Sequence, residues 1–143
     1  MTSSTLRADV AREACSWIGT PFRMGQRLKG CGVDCGWFPI ECFRAAGLPM
    51  LDSVPHFAMD WHMHTREERY LNVLRELAVP INRPERADIA MFRFAPHEPL
   101  AHAMIVLEWP MCVHAAYPHG VQYVNASLGR WARMKPEFFT VLQ

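Results

Sequence analysis

Cys35 follows Asp34 and precedes Gly36 and Trp37, and two histidines, His102 and His114, stand twelve residues apart later in the chain. A thiol, an imidazole to exchange protons with it and a third polar group to orient that imidazole are the minimum equipment of a cysteine hydrolase. The attacking species is the thiolate. The unpaired N–H groups and partial positive charge of a helix N-terminus favour it, and a neighbouring imidazolium favours it further. The sequence sets Cys35 at such a helix start, where its own backbone N–H also faces a developing oxyanion. His102 is the expected base, taking the thiol proton and returning it to the leaving group. His114 is the expected third member, fixing the ring and tautomer of His102 through a hydrogen bond.

The elements around these residues can be read from periodicity. Leu6, Val10, Ala14, Trp17 and Ile18 recur at helical spacing between charged residues, predicting an amphipathic helix over 5–18 that Gly19-Thr20-Pro21 ends. Residues 22–34 then read as an irregular glycine-rich loop. A second helix is expected from Cys35 to about Ala46, capped by Asp34, with Pro39 tolerated in its first turn and Gly47 as its stop. Residues 57–78 are expected to be helical in part. Beyond them the period shortens, and 88–94, 101–108, 111–116, 121–125 and 138–142 read as short strands separated by proline and glycine turns. A turn near Trp109-Pro110 sets His102 and His114 nearly opposite each other on adjacent strands. Helices first and an antiparallel meander later make an α+β fold, with a helix start facing the sheet.

The 143 residues are expected to form one domain, 1–143, with a buried core. A formal net charge of +1 and the lack of any basic run argue against a nucleic-acid partner. No apolar stretch approaches the roughly 20 residues that span a bilayer, so membrane insertion is not expected. Residues 1–8 are polar and lack the pattern of a signal peptide. Cys15, Cys31, Cys35, Cys42 and Cys112 form an odd set without paired spacing, which fits free thiols better than a disulfide framework.

As an ordered set these landmarks resemble the NlpC family of papain-like cell-wall cysteine peptidases. The matching segments are Gly19-Thr20-Pro21-Phe22, Asp34-Cys35-Gly36-Trp37, Ala87-Asp88-Ile89, His102-Ala103-Met104-Ile105 and His114-Ala115. The resemblance implies a papain-like NlpC fold, with N-terminal helices on a small antiparallel sheet. It implies Cys35 as nucleophile, His102 as base and His114 as orienting member, with no cofactor. It also implies the peptide stems of bacterial peptidoglycan as substrate, contacted around Asp34, Gly36 and Phe22. Phe22 replaces the family's usual tyrosine and Gly36 its usual serine, removing two hydroxyl groups, and Cys31 is an extra thiol. The extra cysteine and missing signal peptide resemble the phage-encoded members. These features give the expectation of a phage tail component with other tail proteins as partners, located in the virion tail or in host cytoplasm before assembly.

Two other readings stand beside this one. Cys31 and Cys35, with His56, His62 and His64 downstream, are the residue types of a zinc site, although their spacing is looser than paired zinc ligands. The same fold could also serve as a catalytically idle structural tail protein, its aromatic and methionine-rich segments facing partners.

Overall fold

A helix capped by Thr2, whose hydroxyl accepts the Thr5 N–H at 3.1 Å, opens the fold as α1 (Ser3–Ser16). The computed structural model describes residues 2–142. Val10 and Ala14 of α1 are wholly buried, with Trp17 just beyond them, as the helical spacing requires. The segment read as an irregular loop contains a small hairpin, β1 (Arg27–Leu28) with β2 (Gly32–Val33). The second helix, α2 (Trp37–Ala45), starts after Cys35 rather than at it. Asp34 Oδ1 accepts the N–H groups of Gly36 and Trp37 at 3.0 and 2.8 Å, holding Cys35 in the turn that precedes the helix.

Within residues 57–78 the helical parts are a single 3-10 turn, Trp61–Met63, and α3 (Arg69–Leu74). Six strands follow: β3 (Val79–Ile81), β4 (Ile89–Phe92), β5 (His102–Glu108), β6 (Met111–Ala116), β7 (Gly120–Asn125) and β8 (Glu137–Thr140). They form one antiparallel sheet in the order β3-β8-β4-β5-β6-β7. β3 was not expected because Pro80 breaks the strand pattern. It is an edge strand, where proline is tolerated, and Pro80 faces Phe139 of β8. The α+β expectation holds.

Side chains alternate across the sheet, giving two apolar layers. On one face Ile89, Met91, Ala103, Ile105, Val113 and Ala115 meet α1 and α2 through Val10, Phe38 and Phe43. On the other face Phe92, Met104, Val106 and Cys112 are covered by Trp131 from a short turn at Gly129–Arg133. A bulge between Val106 and Glu108 sets the register at Ile105 opposite Val113. Carried back to the start of β5, that register places His102 diagonal to His114 rather than directly across.

Asp88 fixes the turn into β4. It is fully buried, accepts the Glu85 N–H at 2.7 Å and receives the Arg7 guanidinium of α1 at 2.8 Å. Replacing it leaves a mostly buried cation without its partner, and breaking such pairs costs on the order of 3 kcal/mol. Asp88→Ala is therefore expected to lower the unfolding free energy by about that amount, read as a lower urea midpoint at unchanged slope. An effect below about 1 kcal/mol would show that the pair does not hold α1 to the sheet.

Candidate active site

Asp34 determines where the thiol stands. Its Oδ2 accepts the Gly25 N–H at 2.8 Å while Oδ1 holds the Gly36 and Trp37 amides. The carboxylate is buried and takes three backbone donors, so it ties the glycine-rich loop to the helix start. It thereby engages the N–H groups that were expected to stabilise a thiolate.

The half-buried Cys35 thiol instead meets two oxygen atoms. Sγ–H donates to the Ala101 carbonyl at 3.8 Å, and the Tyr70 hydroxyl donates to Sγ at 3.6 Å. Burial pushes the thiol up to about 12; the Tyr70 hydrogen bond acts in the opposite direction and the Asp34 charge adds to the rise. Burial thus favours the neutral thiol in the resting arrangement, against the thiolate that a helix start was expected to favour. Burial, with the neighbouring Cys35, also raises Tyr70, keeping its hydroxyl a donor.

Ala101 immediately precedes His102, so the thiol points at the peptide that leads into the expected base. His102 Nε2 and His114 Nδ1 share a hydrogen bond of 2.7 Å, with their rings nearly perpendicular. His102 stacks on Trp131 at 5.1 Å, and both imidazoles are buried. Burial, then His114 and Arg130, lowers His102 well below its ordinary 6.5. Burial, then Arg130 and His119, brings His114 down to about 4. Both rings are therefore neutral near pH 7. With Nε2 engaged by His114, Nδ1 is the remaining ring nitrogen of His102. Among the described residues, neither ring reaches hydrogen-bond distance of Sγ in the resting arrangement.

The other expected residues are placed unequally. Gly36 adjoins the thiol, and a Cβ built there would lie 3.5 Å from the Tyr70 hydroxyl, in ordinary contact. Phe22 packs edge-on to Tyr117, with ring centroids 5.7 Å apart. The alternative metal set does not come together. Cys31 is exposed, His62 bonds to Glu98 and His64 to Asp60, and no three His, Cys, Asp or Glu side chains converge among the described residues.

Three residues of the site were not anticipated. Tyr70 lies on a short helix far along the chain, Trp131 sits in a 3-10 turn, and Gln122 faces His114 across β6 and β7. The Gln122 amide nitrogen donates to His114 Nε2 at 3.4 Å. Rotating that amide would present its oxygen, let His114 Nε2 carry a proton and leave His102 Nδ1 free to accept one. No local motif marks any of the three. For Gln122 a signal existed, since it lies eight residues beyond His114 on the next expected strand.

No family model matches the chain, and no curated protein matches it. Solved structures do. The NlpC/p60 domain of the peptidoglycan hydrolase SagA superposes with a TM-score of 0.61 at 17% identity, covering 94% of this chain and 97% of that domain. The P60 domain of an antigen from M. avium subspecies paratuberculosis gives 0.62 at 16%, covering 99% and 98%. The peptidoglycan hydrolase RipB from Mycobacterium tuberculosis gives 0.61 at 18%, covering 99% and 67%. A longer NLP/P60 family protein from Staphylococcus aureus gives 0.63 at 20%, the match covering 97% of this chain and 42% of that one. The fold is therefore that of NlpC/p60 domains.

The two lowered imidazoles make an acid-linkage prediction. A base depressed in the folded state takes up its proton first in the unfolded state, so stability is complete above 6.5 and declines as pH falls toward the folded values. Thermal melts of the native chain and of His114→Gln should diverge between about pH 6.5 and pH 5, with the native chain losing more. Parallel curves would contradict a buried neutral pair.

Proposed function

We propose that this chain is a cysteine peptidase of the NlpC/p60 kind that cuts peptide stems of bacterial peptidoglycan within the single domain 1–143. Cys35 is the nucleophile, His102 the general base and His114 the residue that orients it. One observation supports the reading: the thiol hydrogen-bonds the carbonyl of Ala101, the residue before His102, whose ring is tied through Nε2 to His114. The substrate class is supported by the fold, shared with structures described as peptidoglycan hydrolases. We place the protein in a phage tail with other tail proteins as partners, on the sequence resemblance that includes the extra Cys31.

The reaction starts from a neutral thiol and a neutral imidazole. As the substrate carbonyl approaches, Sγ turns from the Ala101 oxygen and passes its proton to His102 Nδ1, and sulfur attacks the carbonyl carbon. His114 steadies the resulting imidazolium by accepting from Nε2. Collapse of the tetrahedral intermediate breaks the C–N bond, and His102 returns the proton to the departing amine. Water then cleaves the thioester with His102 again as base. Tyr70 supplies the hydroxyl nearest the reacting sulfur, a role that Phe22 cannot fill. Gly36 and Asp34 border the approach to the carbonyl.

Incubation with purified peptidoglycan is expected to release new free amines, and Cys35→Ala should reduce that rate by roughly 10³-fold or more. Release that persists unchanged in Cys35→Ala would remove the thiol from the mechanism, and no release by the native protein would favour the idle structural reading. The neutral pair also predicts the pH profile. The acid limb lies below the ordinary 6.5 of histidine, and a thiol near 12 gives no alkaline fall. A level kcat/KM from about pH 7 to about pH 9 is expected, whereas a descending limb there would indicate a thiolate–imidazolium pair.

A further inference from the structure

Between α2, α3 and the helix-covered face of the sheet lies a cavity of about 310 Å³. It adjoins the thiol, because Tyr70 and Gly36 form part of its wall while Tyr70 also hydrogen-bonds Sγ. Its depth is apolar, formed by Ile40 and Phe43 from α2, Leu74 and Leu77 from α3 and its end, and Ile89 and Ala103 from the sheet. Asp34, His56 and Tyr70 are among its polar lining side chains, and all three hydrogen bonds of Asp34 go to backbone amides. Sites for small ligands occupy roughly 300–1,000 Å³ and combine such apolar walls with a few polar groups at one end.

A peptide segment inserted here would lose water from its amides and find few partners at depth, at a cost for each group left unpaired. A hydrocarbon chain incurs no such cost. Gly36 adds no side chain to the cavity wall, and a Cβ there would meet Tyr70 and Asp34 in ordinary contact at 3.5 and 3.6 Å. We propose that the cavity is an acyl-chain subsite, holding a linear aliphatic group borne on the carbonyl that Cys35 attacks. This rests on Cys35 being the nucleophile but not on peptidoglycan being the substrate. Sulfur bonds to the acyl carbon, the bond to the leaving alcohol or amine breaks, and that group takes the proton held by His102. Water then releases the fatty acid and restores the thiol.

The test uses p-nitrophenyl esters of acetate, butyrate, hexanoate and octanoate with the native protein, and decanoate binding to Cys35→Ala. The expected kcat/KM rises roughly threefold per methylene until the cavity fills. Leu77→Trp, which narrows the cavity, should flatten the rise, read as a fall in the octanoate-to-acetate ratio of kcat/KM. Decanoate should bind Cys35→Ala saturably and at least roughly tenfold more weakly once Leu77→Trp is added. A flat or falling chain-length series, or no saturable decanoate binding, overturns the subsite. Ester hydrolysis undiminished in Cys35→Ala would instead overturn the nucleophile assignment. Decanoate binding to that variant then decides the cavity on its own.

Discussion

A single buried carboxylate sets the geometry on which the site depends. Asp34 accepts amides from the loop on one side of Cys35 and from the helix start on the other. A buried carboxylate that lost these donors would be strongly unfavourable, so the loop, the turn and the helix are held as one unit. Cys35 lies inside that turn, and its sulfur meets the Tyr70 hydroxyl from α3 and what the sheet brings to it. The sheet brings the Ala101 carbonyl, and with it the start of the strand that carries His102. Asp34 is thus a positioning residue, and its engagement with the backbone limits its use as a ligand for substrate.

The same economy of donors determines the protonation state. A helix start can stabilise an anion only with free N–H groups, and two of these are already bonded to Asp34. Burial then governs the thiol and both imidazoles, and burial favours neutral forms in every case. Attack and proton transfer must accompany one another in such a site. In the proposed mechanism the Gln122 amide, the Tyr70 hydroxyl and the Trp131 ring are the neighbours that would govern this transfer, through tautomer, hydrogen bonding and exclusion of water.

Much of this was legible in the sequence because it is periodic. The stripe of α1, the alternation in β5 to β7 and the proline turns between them need only local patterns. So does the order of the cysteine and the two histidines, which gave the resemblance its specificity. Features set by distant partners were not legible. The helix start moved to Trp37 because the Asp34 side chain bonds within the turn, and β3 exists because β8 offers an edge that tolerates Pro80. The bulge between Val106 and Glu108, which has no residue signature, shifts the register so that both histidines share one face two residues out of line. Tyr70 reaches the thiol from a helix placed by packing, with no motif to announce it.

The central claim is a neutral thiol beside a neutral, His114-tethered imidazole in the resting protein. Nitrogen-15 NMR of the histidine rings, combined with the carbon-13 shift of the Cys35 Cβ, reads both partners in one titration. The account predicts a thiol-type shift and uncharged His102 and His114 rings from about pH 6.5 to pH 8, with Nε2 of His102 and Nδ1 of His114 sharing one proton. An imidazolium at His102 together with a thiolate shift at Cys35 near neutral pH would contradict it.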